Sequence, residues 1–298
     1  MRPPEGAQAE RWSGEHRTGV RLMGIVNAAP DSFSDPGDHD PGELAERGRE
    51  LARAGAAVVD VGGESGRTDR EAVPQAVEAA RVVPVIERLV GDGLTVSVDT
   101  WRAQVARAAL EAGAQMVNDP SGLYDPDVAH ACAEHGASLV VTHTRVPPKQ
   151  KGFPAYDDVV GDVLALLRER DAEARKRGVD AGRIVLDPGI DLGKTPAESI
   201  ELLRRLPELA ALERPLLVAI SRKDFIGALL ARSPAGRGAG TLAALEFSAA
   251  GGAAYARVHD VAAAADYLTV RAALRGELLV PPDLRLAEEL RREPAVAP

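Results

Sequence analysis

The sequence predicts a single (β/α)8 barrel, an α/β TIM barrel, and three observations carry that reading. Short apolar runs recur at 22–26, 57–61, 94–98, 115–117, 138–141, 183–186, 216–220 and 254–258. Each is about as long as a parallel strand buried on both faces. Amphipathic or Ala-rich helical stretches separate them, and eight such units in about 250 residues is the usual size of this barrel. The 298 residues are 45% apolar but only 3% aromatic, which suits strands packed under Ala-rich helices. An open doubly wound sheet is the main rival. It would place a glycine-rich dinucleotide loop after the first strand, whereas Asn27-Ala-Ala-Pro-Asp-Ser-Phe-Ser-Asp35 follows here.

The elements follow in order. The strand at 22–26 leads through that polar loop to a helix over 43–54, which Gly55 ends in the left-handed manner of a helix stop. The strand at 57–61 precedes a helix over 72–90, in which Pro84 should introduce a kink. The strand at 94–98 pairs with a helix over 102–112 stopped by Gly113, and 115–117 with a helix over 126–135 opened by Asp125 or Pro126 and stopped by Gly136. The strand at 138–141 precedes a helix over 157–177 with Gly178 after it, and 183–186 a helix over 196–206 whose Thr195-Pro196 is an N-cap followed by an N1 proline. The strand at 216–220 leads to helical segments over 223–230 and 242–250, and 254–258 to a final one over 261–274. In domain terms, 1–19 reads as a flexible leader, 20–276 as the barrel, and 277–298 as a C-terminal helix and loose tail.

Composition narrows the function classes. Net charge is −9 with both signs interspersed, which argues against nucleic acid or an anionic membrane as main partner. No run of about 18 uncharged apolar residues is present to span a bilayer. Cys132 is the single cysteine, so no internal disulfide can form and a cytoplasmic location is expected. His130 and His135 lack the spacing and partners of a zinc site.

A parallel barrel builds its site at the C-terminal ends of its strands. Every strand here delivers a polar or charged residue to that rim: Asn27, then Gly62-Gly-Glu-Ser-Gly-Arg67, Asp99, Asn118, His143, Asp187, Ser221-Arg-Lys223, and Arg257 with His259. Asp99, Asn118, Asp187 and Lys223 form one subset, with donors and acceptors for a flat, nitrogen-rich heterocycle. Asp187 suits two parallel N–H bonds from an amino-pyrimidinone. A lysine at a helix start is disfavoured by the helix dipole, so something anionic or electron-rich should compensate near Lys223. Asn27, Arg67, Arg257 and His259 form a second subset fit for an anion, with Arg suited to bidentate phosphate contact and Gly62-Gly63 allowing close backbone approach. Salt bridges within the rim are the alternative for Arg257 and His259. Asn27 could add an oxygen ligand to Mg²⁺, whose other ligands would be waters and substrate phosphates. The loop with Asp31, Phe33 and Asp35 could close over the site.

These rim residues form a recognisable set, and the sequence resembles the dihydropteroate synthase family from about residue 22 to 274. The motifs are Met23-Gly-Ile-Val-Asn-Ala-Ala-Pro-Asp-Ser-Phe-Ser-Asp35, Gly62-Gly-Glu-Ser65 with Arg67, Ser97-Val-Asp-Thr100, Val117-Asn-Asp119, His143, Asp187-Pro-Gly-Ile190 with Gly193-Lys194, Ser221-Arg-Lys223 and Arg257-Val-His-Asp260. The resemblance implies a cytoplasmic homodimeric transferase that joins 6-hydroxymethyl-7,8-dihydropterin diphosphate to 4-aminobenzoate and releases pyrophosphate. It implies that Asp99, Asn118, Asp187 and Lys223 hold the pterin, while Asn27, Arg67, Arg257 and His259 hold Mg²⁺ and the diphosphate. Ser221 and Arg222 would contact the aminobenzoate, Phe33 would help cover it, and Asp31 and Asp35 would favour a developing cation, with Lys223 also taking part in catalysis.

The sequence also departs from the family pattern. Ala29 stands where the family has Thr, Gly66 and Thr68 replace Thr and Pro, and Thr142 and Thr144 replace Met on either side of His143. Asp191-Leu-Gly-Lys194 replaces Gly-Phe-Gly-Lys. A related pterin-binding protein with another acceptor, or with no synthase activity, is the alternative these departures leave open.

Overall fold

The computed structural model describes residues 19–29, 40–66, 68–287 and 290–291. They fall into two units: Gly19–Ala265, and the stretch that begins at Asp266. The first holds all eight strands. Among the described residues eight strands alternate with helices: β1 (Arg21–Asn27), β2 (Ala56–Gly62), β3 (Val96–Asp99), β4 (Met116–Asp119), β5 (Ser138–Thr142), β6 (Ile184–Asp187), β7 (Leu217–Ala219) and β8 (Tyr255–Val258). All pairings are parallel, in the order β6-β5-β4-β3-β2-β1-β8-β7. A bridge between Leu186 and Leu216 joins the two ends and closes the sheet.

The helices are α1 (Pro41–Arg53), α2 (Gln75–Gly91), α3 (Ala103–Glu111), α4 (Asp127–His135), α5 (Val159–Lys176), α6 (Pro196–Arg204), α7 (Asp224–Leu230), α8 (Gly238–Ala250) and α9 (Val261–Leu274). Their ends follow local chemistry. Asp40 and Asp158 accept the amides of Gly42 and Val160 to start α1 and α5, and Thr195 with Glu198 forms a full capping box on α6. Gly136 ends α4 in the left-handed conformation, as expected. The expected C-terminal helix is absent from 277–287, which contain turns but no α-helix. Pro281-Pro282 accounts for this, since a proline biases the residue before it away from the helical region.

Strand period places the site. Successive side chains alternate faces, and Met23, Val58, Met116, Val140, Val185, Leu217 and Tyr255 cluster as a buried core drawn from seven strands. Only the barrel interior is open to so many strands at once, so these residues form its floor. Two residues further along β2, β4, β6 and β8 stand Asp60, Asn118, Asp187 and Arg257, on the same inner face and one layer higher. An apolar floor under a polar layer thus follows from period two alone.

Truncating the floor should be costly. We expect Leu217→Ala to lower unfolding free energy by about 2–5 kcal/mol, and Leu229→Ala, 66% exposed on α7, to change it by no more than about 0.5 kcal/mol. Urea titrations of the two variants check this, and similar values for both would contradict the floor assignment.

Candidate active site

The ladder register brings Asn27, Gly62, Asp99 and Asn118 into one row across β1 to β4. Gly62 interposes no side chain between the others: a Cβ there would lie 3.6 Å from Asp99 Cβ and 3.9 Å from Asn27 Oδ1. Gly63 has a different reason from the anion approach expected of it. A Cβ on it would meet Val82 at 2.8 Å, so the glycine lets β2 pack on α2.

Arg257 crosses this row. Its Nε donates to Asp60 Oδ2 and its Nη2 to Asp99 Oδ2, each at 2.6 Å, while Asn118 Nδ2 donates to the same Asp60 oxygen at 3.1 Å. The rim salt bridges held as an alternative for Arg257 are therefore present, and they tie the two subsets together. Burial pushes the Asp99 carboxyl above its ordinary range; Arg257 opposes the shift, and Asp60, Glu78 and Asp119 add to it. Asp187, 3% exposed, is also raised by burial, against a backbone bond from Gly189 N at 2.7 Å and the nearby charges of Lys223, Lys194 and Arg257.

The β7–α7 turn carries Ser221, Arg222 and Lys223, all half-buried. Arg222 is left-handed at φ 58°. Its N–H donates to Thr241 Oγ1 at 3.0 Å, and its carbonyl accepts from Arg237 Nη1 at 2.8 Å. Ser221 Oγ accepts the His259 backbone N–H at 3.2 Å and lies 2.8 Å from His259 Nδ1. The hydroxyl can accept this amide and still pair with Nδ1, as donor or as acceptor. Burial, then the charges of Arg257, Arg222, Lys223 and Arg47, hold the His259 imidazole down to about 3. It is neutral near pH 7, among four cations. A cleft of about 630 Å³ runs beside it, lined by Arg47, Arg222, His259 and Asp260.

Asp31, Phe33, Asp35 and Arg67 lie outside the described residues. Asn27, at the end of β1, stands next to the Asp99–Arg257 pair. Among the described residues no group of three or more His, Cys, Asp or Glu could hold a metal ion. A lone amide oxygen suits an ion that arrives mainly on phosphates and water, rather than one caged by protein.

Three participants escaped the sequence reading. Asp60 sits inside a run read as apolar; its signal was a carboxylate at an inward position of β2. Lys194 is 2% exposed, and its ammonium donates to the Gly189 and Leu192 carbonyls at 2.9 and 3.1 Å and faces His143 Nδ1 at 2.9 Å. His143 Nε2 in turn meets Asp162 Oδ1 at 2.8 Å. This network fixes the loop after β6, where Gly189 (φ 69°) has no room for a Cβ, which would fall 2.0 Å from the His143 carbonyl oxygen. The third is Asp191, whose carboxylate accepts the Asp224 amide at 2.5 Å, at the helix start next to Lys223 in the chain. Of the departures, Ala29 is buried, and a Cβ at Gly66 would meet nothing within 4 Å.

A closed parallel barrel with carboxylates and an amide in its mouth, and a cation cluster beside them, defines a pterin-binding enzyme: residues 23–259 match the family model described as "Pterin binding enzyme". Dihydropteroate synthase of Mycobacterium leprae is 43% identical over 261 residues, covering 84% of this chain and 92% of that protein. Dihydropteroate synthase of Xanthomonas albilineans with 4-aminobenzoic acid superposes with a TM-score of 0.80 at 44% identity, covering 88% of this chain and 94% of the other. The same enzyme in complex with 7,8-dihydropteroate superposes at 0.78 and 43% identity, covering 88% and 95%. The chain belongs to the dihydropteroate synthase family.

The buried histidine has a measurable consequence. Burial, then the Lys194 charge, lowers His143 from 6.5 to about 4. Between these values the unfolded state binds more protons, so this group's contribution makes stability fall as pH drops from 6.5 toward 4, by on the order of 3 kcal/mol. His143→Gln should remove that slope. Urea unfolding at pH 7 and pH 5 checks it by difference, because the raised carboxyls of Asp99 and Asp119 titrate with the opposite sign in both proteins. Parallel slopes in parent and variant would overturn the assignment.

Proposed function

We propose that the chain condenses 6-hydroxymethyl-7,8-dihydropterin diphosphate with 4-aminobenzoate to give 7,8-dihydropteroate and pyrophosphate. The observation that carries this reading is the polarity of the mouth, with Asp99, Asn118 and Asp187 on the heterocycle side and Arg47, Arg222, Lys223 and Arg257 around a neutral His259. Asp187 uses Oδ1 for Gly189 N, which leaves Oδ2 to accept a ring or amino N–H of the pterin. Asn118 and Lys223 supply further donors. Arg257, already against Asp60 and Asp99, would lie between the pterin and diphosphate ends of the substrate.

In the reaction the bond between the pterin's methylene carbon and the diphosphate oxygen breaks, and the electron pair leaves with pyrophosphate. The arylamine nitrogen then bonds that carbon and loses a proton. Arg222, Arg257, Lys223 and the neutral His259 ring stabilise the charge gathering on the leaving group, while Asp99 and Asp187 favour the cation left behind. Mg²⁺, held by the diphosphate with Asn27, would neutralise phosphate charge and ease its departure. Ser221 and Arg222 receive the aminobenzoate, and Arg67 and the loop bearing Asp31, Phe33 and Asp35 complete the site.

The assembly we favour is a homodimer in a reducing cytoplasm. Supporting it, α7 and α8 expose Leu229, Leu230 and Phe247, and no described helix is long and apolar enough to cross a membrane. Cys132 is buried, and its thiol is pushed up to about 12, which keeps it unreactive. Sedimentation equilibrium at micromolar protein should give twice the chain mass; a monomer there would exclude the dimer.

Incubation with the pterin diphosphate, Mg²⁺ and 4-aminobenzoate should release pyrophosphate and dihydropteroate in equal amounts. Lys223→Ala and Arg257→Ala should each reduce turnover by about two orders of magnitude or more, and Cys132→Ser should leave it nearly intact. Pyrophosphate without dihydropteroate would point to a different acceptor, and a fully active Arg257→Ala would remove the anion-site assignment.

A further inference from the structure

We infer that Asp191 is a positioning residue that sets Lys223 against Asp187, a proposal whose kinetic consequences rest on the synthase reading above. Asp191 lies four residues after Asp187, in the loop between β6 and α6. Its Oδ2 accepts the backbone N–H of Asp224 at 2.5 Å and lies 3.4 Å from that of Phe225, the first two residues of α7. Its Oδ1 accepts from Ser199 Oγ at 3.0 Å, and its own N–H donates to the same hydroxyl at 3.2 Å. Lys223 is the N-cap of α7 and makes no side-chain cap bond. A carboxylate from the preceding β/α unit therefore does the capping, and it joins the loop carrying one proposed pterin ligand to the helix start beside another.

The backbone shows what this bond holds. Asp191 adopts φ 64°, a left-handed conformation unfavourable for a residue with a Cβ and tolerated by aspartate better than most. Ser199 and the α7 amides hold the residue there from both sides. Other groups hold the rest of the turn: Thr241 and Arg237 bind the Arg222 backbone, and His259 meets Ser221, while Arg237 also reaches the Asp224 carboxylate at 2.8 Å but not the backbone amides of Asp224 and Phe225. Loss of the Asp191 carboxylate should therefore loosen Lys223 to Phe225 and leave Ser221 and Arg222 in place. The effect should fall on the pterin and spare the aminobenzoate.

Asp191→Gly removes the carboxylate and relieves the left-handed backbone, so the variant should fold; Asp191→Asn keeps an acceptor oxygen. In Asp191→Gly the amides of Asp224 and Phe225 should exchange hydrogen faster, and pterin-6-carboxylate, measured by calorimetry, should bind more weakly. KM for the pterin diphosphate should rise about tenfold and KM for 4-aminobenzoate change by no more than about twofold. Asp191→Asn should restore most of both. Unchanged exchange at these amides, or equal movement of the two KM values, would overturn the proposal. A parent protein that makes no dihydropteroate would count against the synthase reading, while exchange and pterin-6-carboxylate binding would still decide whether Asp191 positions Lys223.

Discussion

The ion pairs of Arg257 with Asp60 and Asp99 are the interaction on which the mouth of this barrel depends. Asp60 is fully buried and Asp99 and Asp187 sit close by on the same inner face. Three carboxylates at one end of an apolar floor would repel one another and lose hydration. A guanidinium from β8 answers all three, through direct bonds to two and through its charge on the third. Burial alone would lower the arginine's own pKa, but these acids more than reverse that and hold its proton firmly. The same side chain is thus part of the scaffold and part of the substrate site. Its removal takes away a ligand contact and also leaves buried acids without their partner.

A second constraint concerns the loops, which carry the chemistry yet must hold still. The chain meets it by having one β/α unit hold its neighbour. Asp125, after β4, accepts the Ala103 amide at the start of α3, and Asp191, after β6, does the same for α7. Glu64, after β2, accepts from Trp101 Nε1 and Arg102 Nη2 after β3, and from the Val73 amide at 2.7 Å. Arg102 in turn meets the buried Glu78 of α2. Each carboxylate satisfies amide or side-chain donors that a helix start would otherwise leave to water, and in doing so it fixes a loop of the rim to its neighbour.

Much of this was legible in the sequence because period and position carry it. The eight apolar runs correspond to the eight strands, and the residues at their ends reach the mouth because a parallel barrel points every strand the same way. Asp60 was hidden because a run of valines was read as uniformly apolar, although period two makes its position inward. Asp191 was visible only as a departure from a motif. Its role depends on a contact 33 residues away in the chain, which no local pattern encodes.

The electrostatics of the mouth explain why one site can serve a heterocycle and a diphosphate together. Burial, and then the cations around it, keep His259 neutral, so its ring meets a ligand as a fixed dipole rather than as a mobile charge. Arginines and Lys223 supply the charge. On the other side the buried carboxylates are raised by desolvation, so they are better hydrogen-bond partners for N–H groups than solvated acids would be. When a bond joining the two halves of such a substrate breaks, negative charge moves toward the cations and positive charge toward the acids. The field that aids this separation is already set by the fold, so little of the site has to reorganise as the bond breaks.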